Sequence, residues 1–219
     1  MKKIFSWVQS HPYSYMMLYM LVYLAGFFLL EQVTVVKYWI SCPLDDKIPF
    51  IEYFILPYLS WLILMPASLL FFLLYNKEDF QNLCLIMFGG MSICLILYAF
   101  FPNGLNLRTE IVRDNLCSRL AKLLYTIDTP TNVCPSIHVS SSLAIAAVAF
   151  RSQGLKKHPA AVTGIVLWML LICVSTVFVK QHSVVDIFWG AVLTVILYIP
   201  VYHFDWRKSF KGTFMQFFL

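Results

Sequence analysis

Two histidines stand where long apolar runs begin, and their neighbours suit them to acid–base and nucleophilic work. His138 lies in Pro135-Ser136-Ile137-His138-Val139, and His182 lies in Lys180-Gln181-His182-Ser183-Val184-Val185-Asp186. Ionisable groups are costly to bury at a membrane boundary and often functional. Four residues is about one helical turn, so Asp186 can lie beside His182. A carboxylate accepting from one ring nitrogen fixes the tautomer and leaves the other as a better nucleophile or base. His138 has no acidic neighbour in sequence, so it is the better proton donor. The pair therefore suits attack on phosphorus by one ring and protonation of the departing oxygen by the other.

Four further residues are candidates for binding phosphate: Arg108, Arg113, Ser136 and Lys180. Pro135-Ser136 reads as a helix start, because serine is a favoured cap and proline suits a first turn. The free N–H groups and partial positive charge there form a ready anion site, with His138 in the same turn. Each candidate also has a structural alternative. An i,i+4 His–Asp pair can simply cap a helix, Ser136 can be an ordinary cap, and Arg108 and Lys180 can be interfacial anchors. His11, His158 and His203 read as interfacial polar residues. The spacing of His138, His182 and Asp186 matches no familiar metal motif.

The elements that must carry these groups are membrane helices. The chain has 219 residues, of which 60% are hydrophobic, 17% aromatic and only 12% charged. Soluble domains carry about 25% charged residues, so this composition excludes a solvated globular surface and implies an all-α polytopic membrane bundle. Apolar runs predict about six spans, at 13–33, 53–75, 82–101, 138–151, 160–179 and 183–204, which fill a single domain over 1–219. The fourth run is short and opens on Ser140, Ser141 and Ser142, which read as packing residues inside the bundle. The motifs fall in 101–190, and the longest polar stretch, Phe101 to Pro135, has the length of a functional loop. The first apolar run is long with no small-residue cleavage site after it, so no cleavable leader is expected.

Six spans put both termini on one face. That face would hold nine Lys and Arg residues and the opposite face seven, which favours cytoplasmic termini and an active site on the extracytoplasmic face. A net charge of +5 with basic residues flanking apolar runs gives no nucleic-acid stripe. The six cysteines show no zinc-like spacing. Cys84, Cys94 and Cys173 lie in apolar runs, while Cys117 and Cys134 share the loop-rich face, where a disulfide and free thiols are equally compatible.

Over residues 80–205 the chain resembles the superfamily of type 2 phosphatidic acid phosphatases and vanadium haloperoxidases. Its three motifs run Lys-x6-Arg-Pro, then Pro-Ser-Gly-His, then Ser-Arg-x5-His-x3-Asp. Arg108-Thr109 is similar to the end of the first, and Pro135-Ser136-Ile137-His138 matches the second except at Ile137. Ser175-Thr176, His182 and Asp186 keep the spacing of the third. Phe101, Thr109 and Thr176 replace the first lysine, the first-motif proline and the third-motif arginine, so two phosphate-binding cations are missing. This reduced set looks like the branch containing inositol phosphorylceramide and sphingomyelin synthases. The resemblance implies a phosphohistidine on His182 steered by Asp186, with His138 as acid and then base. Arg108 and Ser136 would hold the phosphoryl oxygens, with Lys180 or Arg113 supplying the missing charge.

The expected protein is thus a membrane lipid phosphatase or head-group phosphotransferase that needs no metal or other cofactor, its partners being a lipid phosphate and the bilayer. The competing classes are a non-catalytic membrane protein that keeps the scaffold, and a transporter. The spans hold few ionisable residues besides Glu31, which disfavours a proton relay.

Overall fold

The computed structural model describes residues 2–218. The chain is an all-α helical membrane bundle. Its α-helices are α1 (Lys2–Ser10), α2 (Tyr19–Val33), α3 (Ile55–Tyr75), α4 (Lys77–Phe100), α5 (Leu116–Ile127), α6 (Ile137–Arg151), α7 (Pro159–Phe178), α8 (Val184–His203) and α9 (Trp206–Ser209). A 3-10 turn, Pro12–Leu18, runs into α2. Among the described residues, five segments are long and apolar enough to cross a membrane: Pro12–Val33, Glu52–Tyr75, Lys77–Phe100, Pro159–Phe178 and Val184–His203.

The fourth expected span is α6, and it differs from the rest. It has 15 residues, about 22 Å of helix, too short to match a hydrocarbon core of about 30 Å. It is also the most enclosed helix, packed by α3, α4, α7 and α8. Ser140, Ser141, Ser142, Ala144 and Ala149 are all buried on it. Such small residues let neighbouring helices approach closely, and a helix shielded on every side has no lipid boundary to match. One of the serines also ties α6 outward, since Trp61 Nε1 on α3 donates to Ser141 Oγ at 2.7 Å. The outer helices instead present large apolar side chains outward, among them Ile63, Leu74 and Leu167.

Helix ends follow local chemistry. Asn76 caps α4 by accepting from Asp79 N at 2.9 Å, with Glu78 and Asp79 in the first turn complementing the helix dipole. Ser136 caps α6 by accepting from Val139 N at 3.3 Å. Ser183 caps α8 in a reciprocal box with Asp186.

The polar stretch 101–135, whose composition predicts a loop, contains α5. Asn115 caps it, and its buried positions Cys117, Ser118 and Ala121 face the bundle. The segments 34–51, 101–136 and 179–183 meet at one end of the molecule. There a two-residue parallel ladder pairs Tyr38 with Asn103 and Trp39 with Gly104. The opposite end gathers the chain ends: Pro12–Leu18 packs on Phe214–Phe218, and Gln81 Nε2 donates to Phe218 O.

Candidate functional site

The two histidine motifs, 44 residues apart, come together because α6 and α8 start side by side. Ser136 N donates to the carbonyl of Asp186 at 3.2 Å, so the cap of one helix is bonded to the first turn of the other. Gly190 sets how near they lie. A Cβ there would stand 2.8 Å from Ser136 O and 3.1 Å from Val139 Cβ, so only glycine permits this approach.

Both rings then face each other. His182 Nδ1 lies 3.2 Å from Asp186 Oδ2, and His182 Nε2 lies 3.4 Å from His138 Nδ1. A carboxylate only accepts, so Nδ1 of His182 carries a proton, and in the neutral ring the lone pair is on Nε2, the nitrogen that faces His138. Asp186 Oδ2 also accepts from Ser183 N at 2.8 Å, so helix cap and histidine partner are one group. The His138 ring stacks on Tyr58 at 4.6 Å between centroids and lies against Trp61 at 4.3 Å, a slot that fixes its plane.

The loop 34–51 is bolted onto this assembly by Asp45, which the sequence reading did not single out. Its carboxylate accepts from Ser183 Oγ (2.6 Å), Cys42 N (2.7 Å) and Val184 N (2.9 Å). Burial alone would raise this carboxyl, but the hydrogen bonds from Ser183, Val184 and Cys42 together outweigh it and hold it below its ordinary value. The first turn of α8, an anion site in principle, is therefore occupied by the protein's own carboxylate.

Of the four proposed phosphate ligands, only Ser136 stands in the histidine assembly itself, and it does so as the α6 cap. Lys180 adopts a left-handed backbone (φ 54°) that turns its buried side chain toward the 34–51 loop. There Nζ donates to the carbonyls of Asp45 and Ile48 at 2.8 and 2.5 Å. Arg113 points away from the histidines and pairs with Glu52 at 3.0 Å, its side chain 74% exposed. Arg108 reaches inward, but its Nη1 donates to Tyr125 O, its Nη2 donates to Asp128 O and Gln181 Oε1, and the guanidinium covers the Tyr125 ring. Burial lowers the Arg108 pKa, with the Asp128 charge opposing.

A cavity of about 250 Å³ opens onto both histidines. Tyr23, Phe27 and Phe28 of α2 and Leu62 of α3 form an apolar wall, while Asp128, Asn132 and Gln181 give it polar groups. Burial pushes the Asp128 carboxyl up to about 6, against the pull of Arg108. Asp128 and Gln181 were missed in sequence because neither fits a motif position. Asn103 was also missed. Its side chain accepts from Val133 N and Cys134 N and donates to Cys134 O, fixing the chain just before Pro135-Ser136.

All six cysteines are free thiols. Burial and the Asp186 charge push the Cys134 thiol up, which disfavours a reactive thiolate. Among the described residues, no group of three or more His, Cys, Asp or Glu side chains is arranged to hold a metal ion. No protein-family model, curated protein or solved structure matches the chain.

Proposed function

We propose that this is a membrane-embedded lipid phosphatase or head-group phosphotransferase that works through a phosphohistidine on His182. The observation carrying the proposal is the line Asp186–His182–His138, with His182 Nε2 facing Nδ1 of a second imidazole beside an apolar-walled cavity. The ordered motifs that resemble the type 2 phosphatidic acid phosphatases support the same chemistry.

In the first step Nε2 attacks phosphorus, the bond from phosphorus to the leaving oxygen breaks, and His138 gives that oxygen a proton. Asp186 stabilises the positive imidazolium that results. In the second step His138 takes a proton from water or an alcohol, whose oxygen attacks phosphorus and releases His182. The α6 N-terminus offers backbone N–H groups to the phosphoryl oxygens. The α2–α3 wall suits an acyl chain, so a lipid ester is the substrate class. With cytoplasmic termini, this chemistry would occur at the extracytoplasmic face.

The test is a panel of labelled lipid phosphomonoesters and phosphodiesters in detergent, with and without an alcohol acceptor. Release of label should fall at least about 100-fold in His182→Ala and in His138→Ala. Label caught on the native protein should be acid-labile and absent from His182→Ala. Unchanged turnover in both variants would leave a non-catalytic membrane protein as the better account. Release without an acceptor separates hydrolysis from obligate transfer.

A further inference from the structure

The cation that sequence resemblance assigns to the phosphate is used elsewhere in this fold, and a buried amide is left without a partner in its place. Arg108 does not line the cavity, whereas Gln181 does. Both hydrogens of Arg108 Nη2 have carbonyl-type acceptors, Asp128 O and Gln181 Oε1, each at 2.8 Å. A guanidinium only donates, so the group facing it must be the amide oxygen of Gln181. The Gln181 Nε2 group is thereby turned the other way. It is buried and has no hydrogen-bond partner, on a residue only 3% exposed. A buried donor left unsatisfied is expensive. Asn132 Nδ2 on the same cavity and Arg108 Nε also lack partners, but among the cavity-lining residues only Gln181 both adjoins the proposed nucleophile in sequence and is oriented by Arg108. The other places a compensating charge was expected offer none: Lys180 and Arg113 face away, and Thr176 is buried with its hydroxyl on Cys173 O.

We propose that Gln181 Nε2 donates to a phosphoryl oxygen of the substrate, and that Arg108 is a positioning residue that aligns this amide without touching the phosphate. This rests on the phosphohistidine reading and deepens it. The oxyanion is held by a neutral, pre-oriented amide together with the α6 N-terminus. Arg108 polarises that amide through its oxygen, which strengthens the donor.

Orthovanadate, a mimic of the phosphoryl group in transfer, is the probe. Its affinity for the purified full chain is measured by calorimetry, alongside thermal unfolding in detergent. Gln181→Met should weaken vanadate about ten- to a hundredfold, the range for one hydrogen bond to a charged group, with the unfolding temperature held or raised. Arg108→Met should weaken it comparably alone and add little in the Gln181→Met background, because both act through one donor. If Arg108→Met does not fold, Arg108→Lys takes its place in both backgrounds, since lysine lacks the fork that reaches several oxygens. Wild-type affinity in Gln181→Met would mean that the amide binds only a structural water, and the proposal falls. A full additive loss from the arginine change would put Arg108 on the phosphate itself and overturn its positioning role. Absence of vanadate binding to wild type, with His182 intact, would remove the phosphohistidine reading and this inference with it.

Discussion

Asp45 offers the sharpest test of how the site is held. Its carboxylate is 2% exposed and accepts from three donors, Ser183 Oγ, Cys42 N and Val184 N, at 2.6 to 2.9 Å. Each such charge-assisted bond is worth about 1.5–3 kcal/mol. The three share one acceptor group, so the losses do not add in full. Removing the carboxylate leaves a hydroxyl and two backbone N–H groups without their acceptor, at about 1–3 kcal/mol for each buried donor left unsatisfied, so about 3–5 kcal/mol is the magnitude expected for Asp45→Ala. At about 2–4 °C per kcal/mol for a chain of this size, unfolding in detergent should fall by roughly 6–20 °C. Asp45→Asn should be much milder. Its amide oxygen can still accept from Val184 N while its nitrogen donates to Ser183 Oγ, which turns to accept, leaving only Cys42 N unpaired at a cost of about 1–2 kcal/mol. The pH dependence has a definite sign. The folded carboxyl lies below its ordinary 3.8, so its contribution is fully present above that pH and is lost as pH falls further. Thermal unfolding followed by circular dichroism from pH 3 to 8 reads all three effects. An Asp45→Ala protein that melts within about 2 °C of wild type would refute the claim that this carboxylate pins the 34–51 loop to α8.

Two further outcomes follow from the same geometry. Gly190→Ala places a methyl group 2.8 Å from Ser136 O, where backbone cannot yield, so it should cost about 1–3 kcal/mol of overpacking and also weaken vanadate binding by parting the histidines; a normal affinity would show that the α6–α8 distance does not set the site. Asp128 is raised from 3.8 to about 6, so its contribution to stability is present below 3.8 and is lost as pH rises through about 6; Asp128→Asn should lack that decline, and identical stability slopes for both proteins between pH 4 and 8 would count against a buried carboxyl there.

Much of the architecture was legible because lipid-facing helices announce themselves through composition alone. Long apolar runs gave α3, α4, α7 and α8, and the short fourth run opening on Ser140-Ser141-Ser142 left room for α6 to be packed inside the bundle. The His182–Asp186 pairing was legible too, since a four-residue spacing on one helix is a local fact. Helix α5 escaped because its charged face made the whole 101–135 stretch look like loop. The partners of Lys180 and Arg113 escaped for a different reason. Residue type says that a cation is available, but not whether loop carbonyls or Glu52 will claim it first. Asp45 and Ser183 are 138 residues apart, and nothing local to either foreshadows their bond. Gln181 sits beside His182 in sequence, yet its importance depends on which end of its amide faces Arg108, which only the folded chain decides.

The restraints on the two histidines are lopsided, and that asymmetry bears on how a ligand would enter. On the α6–α8 side the two helix starts are held by the backbone bond from Ser136 N to Asp186 O, by close packing at Gly190, and by the Asp45 carboxylate, which accepts from Val184 N. These restraints fix where the two helices start, and the bond from His182 Nδ1 to Asp186 Oδ2 and that from Ser183 N to Asp186 Oδ2 orient the side chains there. On the α2–α3 side the cavity wall is Tyr23, Phe27, Phe28 and Leu62, which pack by apolar contact, while α2 itself is tied by Tyr19 to Ser92 and by Glu31 to Thr129. Phe28 and Leu62 are exposed, and exposed side chains change rotamer on fast timescales, so exchanging such an apolar neighbour for a lipid chain costs little. If the proposed function holds, a ligand with an acyl tail would enter between α2 and α3, its phosphate leading toward the histidine pair. The rigid face would then set the chemistry, and the soft one would select for lipid.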